Sequence, residues 1–201
     1  MPQVSFNNCR LVSICLPSSL HGEDIDPLDD IVTRRSPLKK GNYIYRANDP
    51  FKSVYAVRSG AIKTLTLNDQ GEEQVTGFYL PGEIVGLDGI GDDSYTNSAV
   101  ALETAAVCEI PFSQMEHLCL SIPTLQRRFF QIMSREIKDD QKLISLLSSS
   151  SAEERIAAFL LSISTRNQRR QLSPTVFTLS MSRTEMANFL GLTIETTSRV
   201  I

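Results

Sequence analysis

Several features that mark enzymes, membrane proteins and secreted proteins are missing from this 201-residue chain. No apolar run approaches the roughly 20 residues that cross a bilayer, and no basic segment followed by an apolar stretch indicates a secretory signal. No glycine pattern has the spacing of a phosphate-binding loop, and no nucleophile–base pair or carboxylate pair stands out. The two histidines lack metal-ligand spacing. We therefore expect a cytoplasmic protein that is not an enzyme.

The charge is small but uneven along the chain. The formal net charge is −3, from 20 Lys and Arg against 23 Asp and Glu. Residues 152–201 hold six Arg and four Glu, which gives +2 and leaves −5 for residues 1–151. Such an asymmetry suits an acidic sensor joined to a module that binds nucleic acid.

The last 22 residues, 180–201, predict a helix-turn-helix. Ser182 and Glu185 have the spacing of a capping box at a helix start, and Gly191 ends that helix with a residue that accepts a positive φ. Thr193 can then cap a second helix. A short glycine-containing turn between two helices is typical of DNA-binding proteins, although an ordinary amphipathic helix pair has the same pattern.

The second helix of this motif carries side chains suited to reading DNA. Three of them share one face at spacing i, i+3 and i+4: Glu195, Ser198 and Arg199. Arginine donates twice to guanine, glutamate accepts from the cytosine amine, and serine bonds a base or a phosphate. The chain stops at Ile201, so we expect a C-terminally incomplete module without the β-wing that would brace this helix. A sensor or interaction protein without DNA binding is therefore the alternative.

Short β-rich runs bounded by Gly or Pro fill the middle of the chain. They predict five strands: residues 54–57, 61–67, 74–80, 98–101 and 105–110. Many short strands at regular spacing predict a small antiparallel sandwich or jelly roll. With the helices on either side, the expected fold class is α+β.

A long helix is predicted from just beyond Pro123 to about Leu147. Apolar residues recur along it every three or four positions: Leu125, Phe129, Ile132, Met133, Ile137, Ile144 and Leu147. The stripe forms either a seam with a second copy or a surface that packs on the sandwich. Asp140 lies on the same stripe, and two facing copies would repel each other, so a dimer is expected to be weak. The serine run 148–151 is the predicted hinge to the DNA module.

Taken together, these segments resemble the Crp/Fnr family of bacterial transcription regulators, and within it the oxygen-sensing fumarate and nitrate reduction regulators. The resemblance covers nearly the whole chain and is carried by ordered matches: Cys15–Pro17, Val57–Gly60, Gly71–Phe78, Ala101–Thr104, Val107–Phe112, Met133–Lys138, Ala152–Arg155 and Gly191–Thr196. It implies a homodimeric activator that binds a palindromic promoter site.

The same resemblance implies a cyclic-nucleotide-binding-like antiparallel β-roll, a long dimerisation helix and a partial winged helix-turn-helix. The expected domains are an N-terminal cysteine segment, a β-roll sensor, a dimerisation helix and an incomplete helix-turn-helix domain, at residues 1–17, 18–121, 122–148 and 149–201. Dimerisation is assigned by this resemblance and the periodicity to Ile137, Asp140 and Ile144. By resemblance alone, RNA polymerase is expected to contact Gly71, Glu72 and Ser173.

The resemblance also implies an iron–sulfur sensor. Cys9, Cys15 and Cys108 match three of the family's cluster ligands, whereas the position of the first ligand is occupied by Phe6, which cannot bind a metal. Three outcomes are open: a [4Fe–4S] cluster whose fourth ligand is Cys119 or a non-cysteine group, a less stable cluster with one open iron, or lost cluster binding with thiols that respond to oxidation or bind zinc.

In cyclic-nucleotide-binding members of the wider family, an Arg-Ser-Ala segment holds the cyclic phosphate. Asn97-Ser98-Ala99 stands there in this chain, and a neutral amide offers no guanidinium fork to the anion. We therefore expect no cyclic nucleotide. Cluster binding would draw Cys9 and Cys15 towards Cys108 and favour the dimer, and oxygen would destroy the cluster and release the dimer. The sequence leaves open whether the signal is oxygen or nitric oxide.

Overall fold

The computed structural model describes residues 9–20 and 22–201. Within these residues, eight strands form two four-stranded sheets, with the orders β1-β8-β3-β6 and β2-β7-β4-β5, and every named pair is antiparallel. The strands are β1 (Thr33–Arg34), β2 (Tyr43–Tyr45), β3 (Ser53–Ser59), β4 (Ile62–Leu67), β5 (Glu73–Tyr79), β6 (Ile84–Val85), β7 (Ser98–Ala101) and β8 (Ala106–Pro111). The predicted antiparallel fold is confirmed.

The five strands of four or more residues are those that the sequence predicts, because each is long enough to show an apolar run or an alternating pattern. Residues 53–57 of β3 and all four residues of β7 are buried. Gly60 makes the tight turn between β3 and β4 with a φ of +71°, and a Cβ there would lie 2.6 Å from the Thr104 carbonyl oxygen. Only glycine fits this position. β1, β2 and β6 were not predicted, because two or three residues are too few to show a period.

The described part of the chain also contains six α-helices: α1 (Ile25–Ile31), α2 (Phe112–Ser121), α3 (Pro123–Ser149), α4 (Ala152–Arg169), α5 (Arg183–Leu190) and α6 (Ile194–Val200). Pro123 begins α3, where its missing N–H costs nothing. α3 ends two residues beyond the predicted Leu147. Ser151 then caps α4 in a capping box, since its Oγ accepts from the Glu154 N–H and its own N–H donates to Glu154. Among the described residues, no helix is long and apolar enough to cross a membrane.

The predicted apolar stripe on α3 does not form one continuous seam. Its first half contacts a core between the β1–β8–β3–β6 sheet, α1 and α2, which we call the N-terminal core: Leu125, Phe129, Ile132 and Met133. Its second half is open, with Ile137 58% and Ile144 67% exposed. The first half of the stripe therefore packs on the sandwich, and the seam with a second copy stays a prediction for the exposed second half.

A second core joins the β-roll to the helix-turn-helix, and we call it the junction core. It buries three apolar residues at the end of the second sheet, Val75, Phe78 and Leu80. The helices contribute Ile156, Phe159, Ile163, Met186 and Leu190. The β-roll and the helix-turn-helix therefore share buried apolar surface. Burial of that surface is the main interaction that holds them together.

Candidate functional site

The helix-turn-helix is built by the caps that the sequence predicts. The Ser182 Oγ accepts from the Glu185 N–H at 3.2 Å, and a Glu185 carboxylate oxygen accepts from the Ser182 N–H at 2.8 Å. Gly191 ends α5 with a φ of +61°, and the Thr193 Oγ1 accepts from the Thr196 N–H at 3.1 Å. These caps fix where α5 ends and α6 begins, so they set the angle of the second helix.

α6 presents one face to its neighbours and another to solvent. Thr197 is completely buried on the inner side. The predicted DNA-reading residues are all exposed: Glu195, Ser198 and Arg199. Across residues 9–20 and 22–201, no ion pair uses Glu195 or Arg199. The charges on this face are therefore available to a nucleic acid.

All four cysteines contact the N-terminal core. Cys15 and Cys108 are 6% and 5% exposed, Cys9 and Cys119 pack against the core from its edge, and each is a free thiol. Burial raises the pKa of the Cys15 thiol to about 12, and the nearby Cys108 and Cys9 act in the same direction. Burial also raises the pKa of Cys108. These thiols stay protonated at neutral pH unless a cation is bound beside them.

The cysteine segment is attached directly to the long helix. Cys15 precedes a single 3-10 turn, Leu16–Ser19, which contacts α3. On α3, the Arg128 guanidinium donates to the Ile14 carbonyl at 2.8 Å and to the Cys15 carbonyl at 3.3 Å. Cys108 lies on β8, opposite Ala56 of β3. A rearrangement of the thiols would therefore act on the start of α3.

The donor chemistry suits a soft metal centre, but the present positions do not form one. Sulfur donors favour iron–sulfur clusters and zinc, and Cys9, Cys15 and Cys108 belong to one apolar core. Within the part of the chain that the structure describes, no three His, Cys, Asp or Glu side chains converge as metal ligands. Phe6 lies outside the described residues. Assembling a cluster would thus require the cysteines to move closer together.

Asn97 stands where the resemblance implies a phosphate-binding arginine in cyclic-nucleotide-binding relatives, and its side chain is hydrogen-bonded within the chain. The Asn97 backbone N–H and side-chain amide both donate to one oxygen of Asp88, at 2.9 and 3.1 Å. The Asn97 Oδ1 lies 2.8 Å from the Thr76 hydroxyl. Inside the roll the rings of Tyr45 and Tyr95 stack with centroids 3.7 Å apart. The absence of a cyclic nucleotide remains a prediction, and these contacts agree with it.

The predicted dimer residues lie on the exposed side of α3, beside a half-buried acid, Glu136, that the sequence did not indicate. Asp140 is exposed between Ile137 and Ile144. One turn earlier, Glu136 accepts from the Tyr79 hydroxyl at 2.7 Å. Burial raises the pKa of Glu136 to about 7, and the charge of Asp140 adds to that rise. No periodic pattern marks Glu136, because its environment comes from β5 and α4.

The predicted polymerase contacts are exposed at two places. Gly71 makes the β4–β5 turn with a φ of +79°, and Glu72 accepts from the Asn68 side-chain amide at 2.9 Å. Ser173 follows α4, where its hydroxyl accepts from the Val176 N–H at 3.0 Å. Both places are ordered turns that leave side chains open to solvent, so both remain predicted contacts.

Comparison with known proteins agrees with this architecture. The family model described as "Cyclic nucleotide-binding domain" matches residues 35–121, and "Crp-like helix-turn-helix domain" matches residues 154–201. The chain is 54% identical over 198 residues to "Transcriptional activator protein Anr" of Pseudomonas protegens, covering 98% of this chain and 81% of that protein. The chain belongs to the Crp/Fnr family. The resemblance inferred from the sequence is confirmed.

Other family members support the same assignment. The chain is 45% identical to the "Fumarate and nitrate reduction regulatory protein" of Escherichia coli over 194 residues, covering 96% of this chain and 78% of that protein. The structure of FixK2 from Bradyrhizobium japonicum superposes with a TM-score of 0.74 at 28% identity, covering 85% of this chain and 82% of FixK2. The names of the first two proteins are those of regulators, which agrees with the expectation that this family member is not an enzyme.

Proposed function

We propose that the chain is a cytoplasmic transcription activator that binds DNA and responds to oxygen or redox state through a cysteine-ligated iron–sulfur cluster that controls dimerisation. The Pseudomonas protegens relative is named as a transcriptional activator. The observation that carries the proposal for this chain is that Cys9, Cys15 and Cys108 all pack in or against one core that also buries the start of α3.

The three matching cysteines would hold the cluster, with Cys119 as a candidate fourth ligand because it contacts the same core. Bound there, a [4Fe–4S] cluster would supply an oxygen-sensitive group and a positive centre that favours thiolates. The protein's part is to bury the thiols and to tie Cys15 to α3 through Arg128. A shift of this segment therefore reaches the helix on which dimerisation is proposed.

Dimerisation is proposed to use the open half of α3. Ile137 and Ile144 expose apolar side chains one heptad apart, which is the spacing of a helix–helix seam. Asp140 lies between them, and two copies of this carboxylate would oppose association. Because the carboxylates oppose the apolar contacts, we propose that a change at the N-terminal core can shift the equilibrium between monomer and dimer.

Each protomer is proposed to read a half-site with Glu195, Ser198 and Arg199. A two-fold dimer places two such helices about one DNA turn apart, which matches a palindromic site. The exposed turns at Gly71, Glu72 and Ser173 are proposed to touch RNA polymerase. Their exposure on ordered turns supports this role.

The test is reconstitution of the purified chain with iron and sulfide in the absence of oxygen. We expect a brown, air-sensitive species with visible absorption, and we expect Cys108→Ala to abolish it. Cys119→Ala decides the fourth ligand, because loss of the cluster assigns Cys119 and retention assigns a non-cysteine group. A colourless chain with no bound iron would contradict the cluster and favour a cluster-free regulator whose thiols bind zinc or become oxidised.

A further inference from the structure

The free edge of the second sheet is covered by the helix-turn-helix. β5 is the last strand of the order β2-β7-β4-β5, so one side of its backbone has no neighbouring strand. Such an edge presents N–H and C=O groups that pair readily with another chain. α5 lies against this edge and takes the place of a further strand.

Asn188 on α5 binds this edge through both atoms of its amide. Its Oδ1 accepts from the Val75 N–H at 2.6 Å, and its Nδ2 donates to the Glu73 carbonyl at 2.8 Å. The Gln74 side chain donates in turn to the Asn188 carbonyl at 3.0 Å. Residues 73 and 75 are two apart, which is the interval at which a strand edge repeats its outward groups. An amide can serve one donor and one acceptor at once, whereas a carboxylate cannot donate.

Charged and aromatic contacts surround this pair of hydrogen bonds. The Lys63 ammonium lies 3.1 Å from Glu73 and 3.2 Å from Glu185, the capping residue of α5. Behind it, the rings of Phe78 and Phe189 meet edge to face with centroids 5.1 Å apart. The apolar contact holds α5 near the sheet, but it is non-directional. The Asn188 hydrogen bonds are directional, and they join α5 to two named positions of β5.

α5 carries α6 through the short turn at Gly191, so the register of α5 sets the direction of the DNA-reading face. We propose that Asn188 is a positioning residue that locks α5 to the edge of β5 and thereby gives α6 one orientation relative to the β-roll. The proposal rests on the DNA-reading role proposed above for α6. A dimer whose reading helices are fixed accepts one half-site spacing and rejects others.

Hydrogen exchange of the full chain tests the lock without DNA or iron. Asn188→Ala removes both hydrogen bonds, and Asn188→Asp keeps the size and the acceptor but turns a second acceptor towards the Glu73 carbonyl. We expect the β5 amides to exchange about 10-fold faster in Asn188→Ala, because two hydrogen bonds are lost at one edge, and about 5-fold faster in Asn188→Asp, because one is lost and a second acceptor faces the Glu73 carbonyl. The amides of β7 and β8 should be unchanged in both variants. A side chain that only fills space would leave Asn188→Asp like the parent.

Asn42→Ala is the matched control, since the Asn42 Oδ1 also accepts one backbone N–H, from Lys39 at 2.9 Å, but in a turn of the β-roll remote from α5 in sequence. It should leave β5 exchange unchanged. If Asn188→Ala fails to fold, Asn188→Asp and Gln74→Ala decide the question. Unchanged β5 exchange in those variants would overturn the lock.

The positioning role is tested by DNA-binding affinity for two palindromes, one with the preferred half-site spacing and one lengthened by a base pair. For Asn188→Asp we expect the ratio of the two affinities to fall at least about 5-fold, which corresponds to the free energy of about one hydrogen bond. An unchanged ratio beside faster β5 exchange overturns the positioning role. If the parent chain itself binds neither palindrome, the proposed DNA function fails, whereas the exchange result still decides the lock.

Discussion

Two apolar surfaces of this molecule differ in whether the chain covers them itself. On the outer face of α3, Ile137 and Ile144 are 58% and 67% exposed, whereas Phe78 and Leu190 in the junction core are 6% and 1% exposed. Burial is the main source of stability, and an exposed apolar row on a helix invites a partner. The junction core is therefore complete in one chain, whereas the α3 face is open, and it is the face that we propose a second copy covers.

Phe78→Ala should produce the largest effect, because it opens the junction core. The Phe78 ring meets Phe159 and Phe189 with centroids 5.9 and 5.1 Å away. We expect the free energy of unfolding in urea to fall by about 3–4 kcal/mol. Phe130→Ala is the control, because Phe130 is 56% exposed and its loss should cost less than about 0.5 kcal/mol in the monomer. Equal losses of unfolding free energy in the two variants would contradict the difference in burial between the junction core and the exposed side of α3.

Ile137→Glu should separate the protomers without unfolding them. Each dimer loses two apolar contacts and gains two facing charges, so we expect the dissociation constant of the oxygen-free dimer to rise about 100-fold by sedimentation equilibrium. Leu120→Glu is the matched control, since Leu120 is 79% exposed but lies on α2. A dimer that ignores Ile137→Glu would place the interface elsewhere.

Glu136 should make stability fall as pH rises, because its pKa is raised from 4.5 to about 7 in the folded chain. The folded protein keeps this proton between those values and the unfolded chain releases it, so stability is lost from about pH 4.5 to pH 7. Four groups face Glu136 and influence its pKa: Tyr79, Glu83, Asp140 and Arg166. Glu136→Gln should match the parent near pH 5 and exceed it by about 1–2 kcal/mol near pH 8 in urea unfolding.

The control for this pH effect is Glu116→Gln on the exposed side of α2. Its stability difference from the parent should stay constant between the two pH values. If the stability difference between Glu136→Gln and the parent were also constant, the Glu136 carboxyl would not be titrating in this pH range.

Asp140→Ala should have the smallest effect and the opposite sign to Ile137→Glu. Removing two facing carboxylates should tighten the dimer about 5-fold and let it persist in air. Asp139→Ala is the neighbouring control, because Asp139 is paired with Lys142 at 3.3 Å. A variant that remains monomeric in air would remove Asp140 from the proposed mechanism.

The sequence predicts those parts of the fold that local chemistry decides. The caps at Ser182, Gly191 and Thr193 each depend on a few adjacent residues, and all three are confirmed. Periodicity on α3 identifies an apolar stripe but not which half is covered, because that depends on where α2 and the sheet end. The very short strands give no period to detect.

The contacts between distant segments could not be predicted in the same way. Asn188 is separated by 113 residues from Val75, and an asparagine within a helix carries no signal of a strand edge. Arg166 pairs with Glu83 across 83 residues, and Glu136 gains its environment from β5. The thiols illustrate the same limit, since the family resemblance selects three cysteines while packing adds Cys119 to their core.

Sedimentation velocity of the reconstituted chain before and after air is admitted tests cluster-controlled dimerisation directly. We expect a brown dimer that becomes a colourless monomer, because the proposed coupling between the N-terminal core and the open face of α3 runs through the cysteine segment. A species whose mass is the same with and without oxygen would contradict cluster-controlled dimerisation.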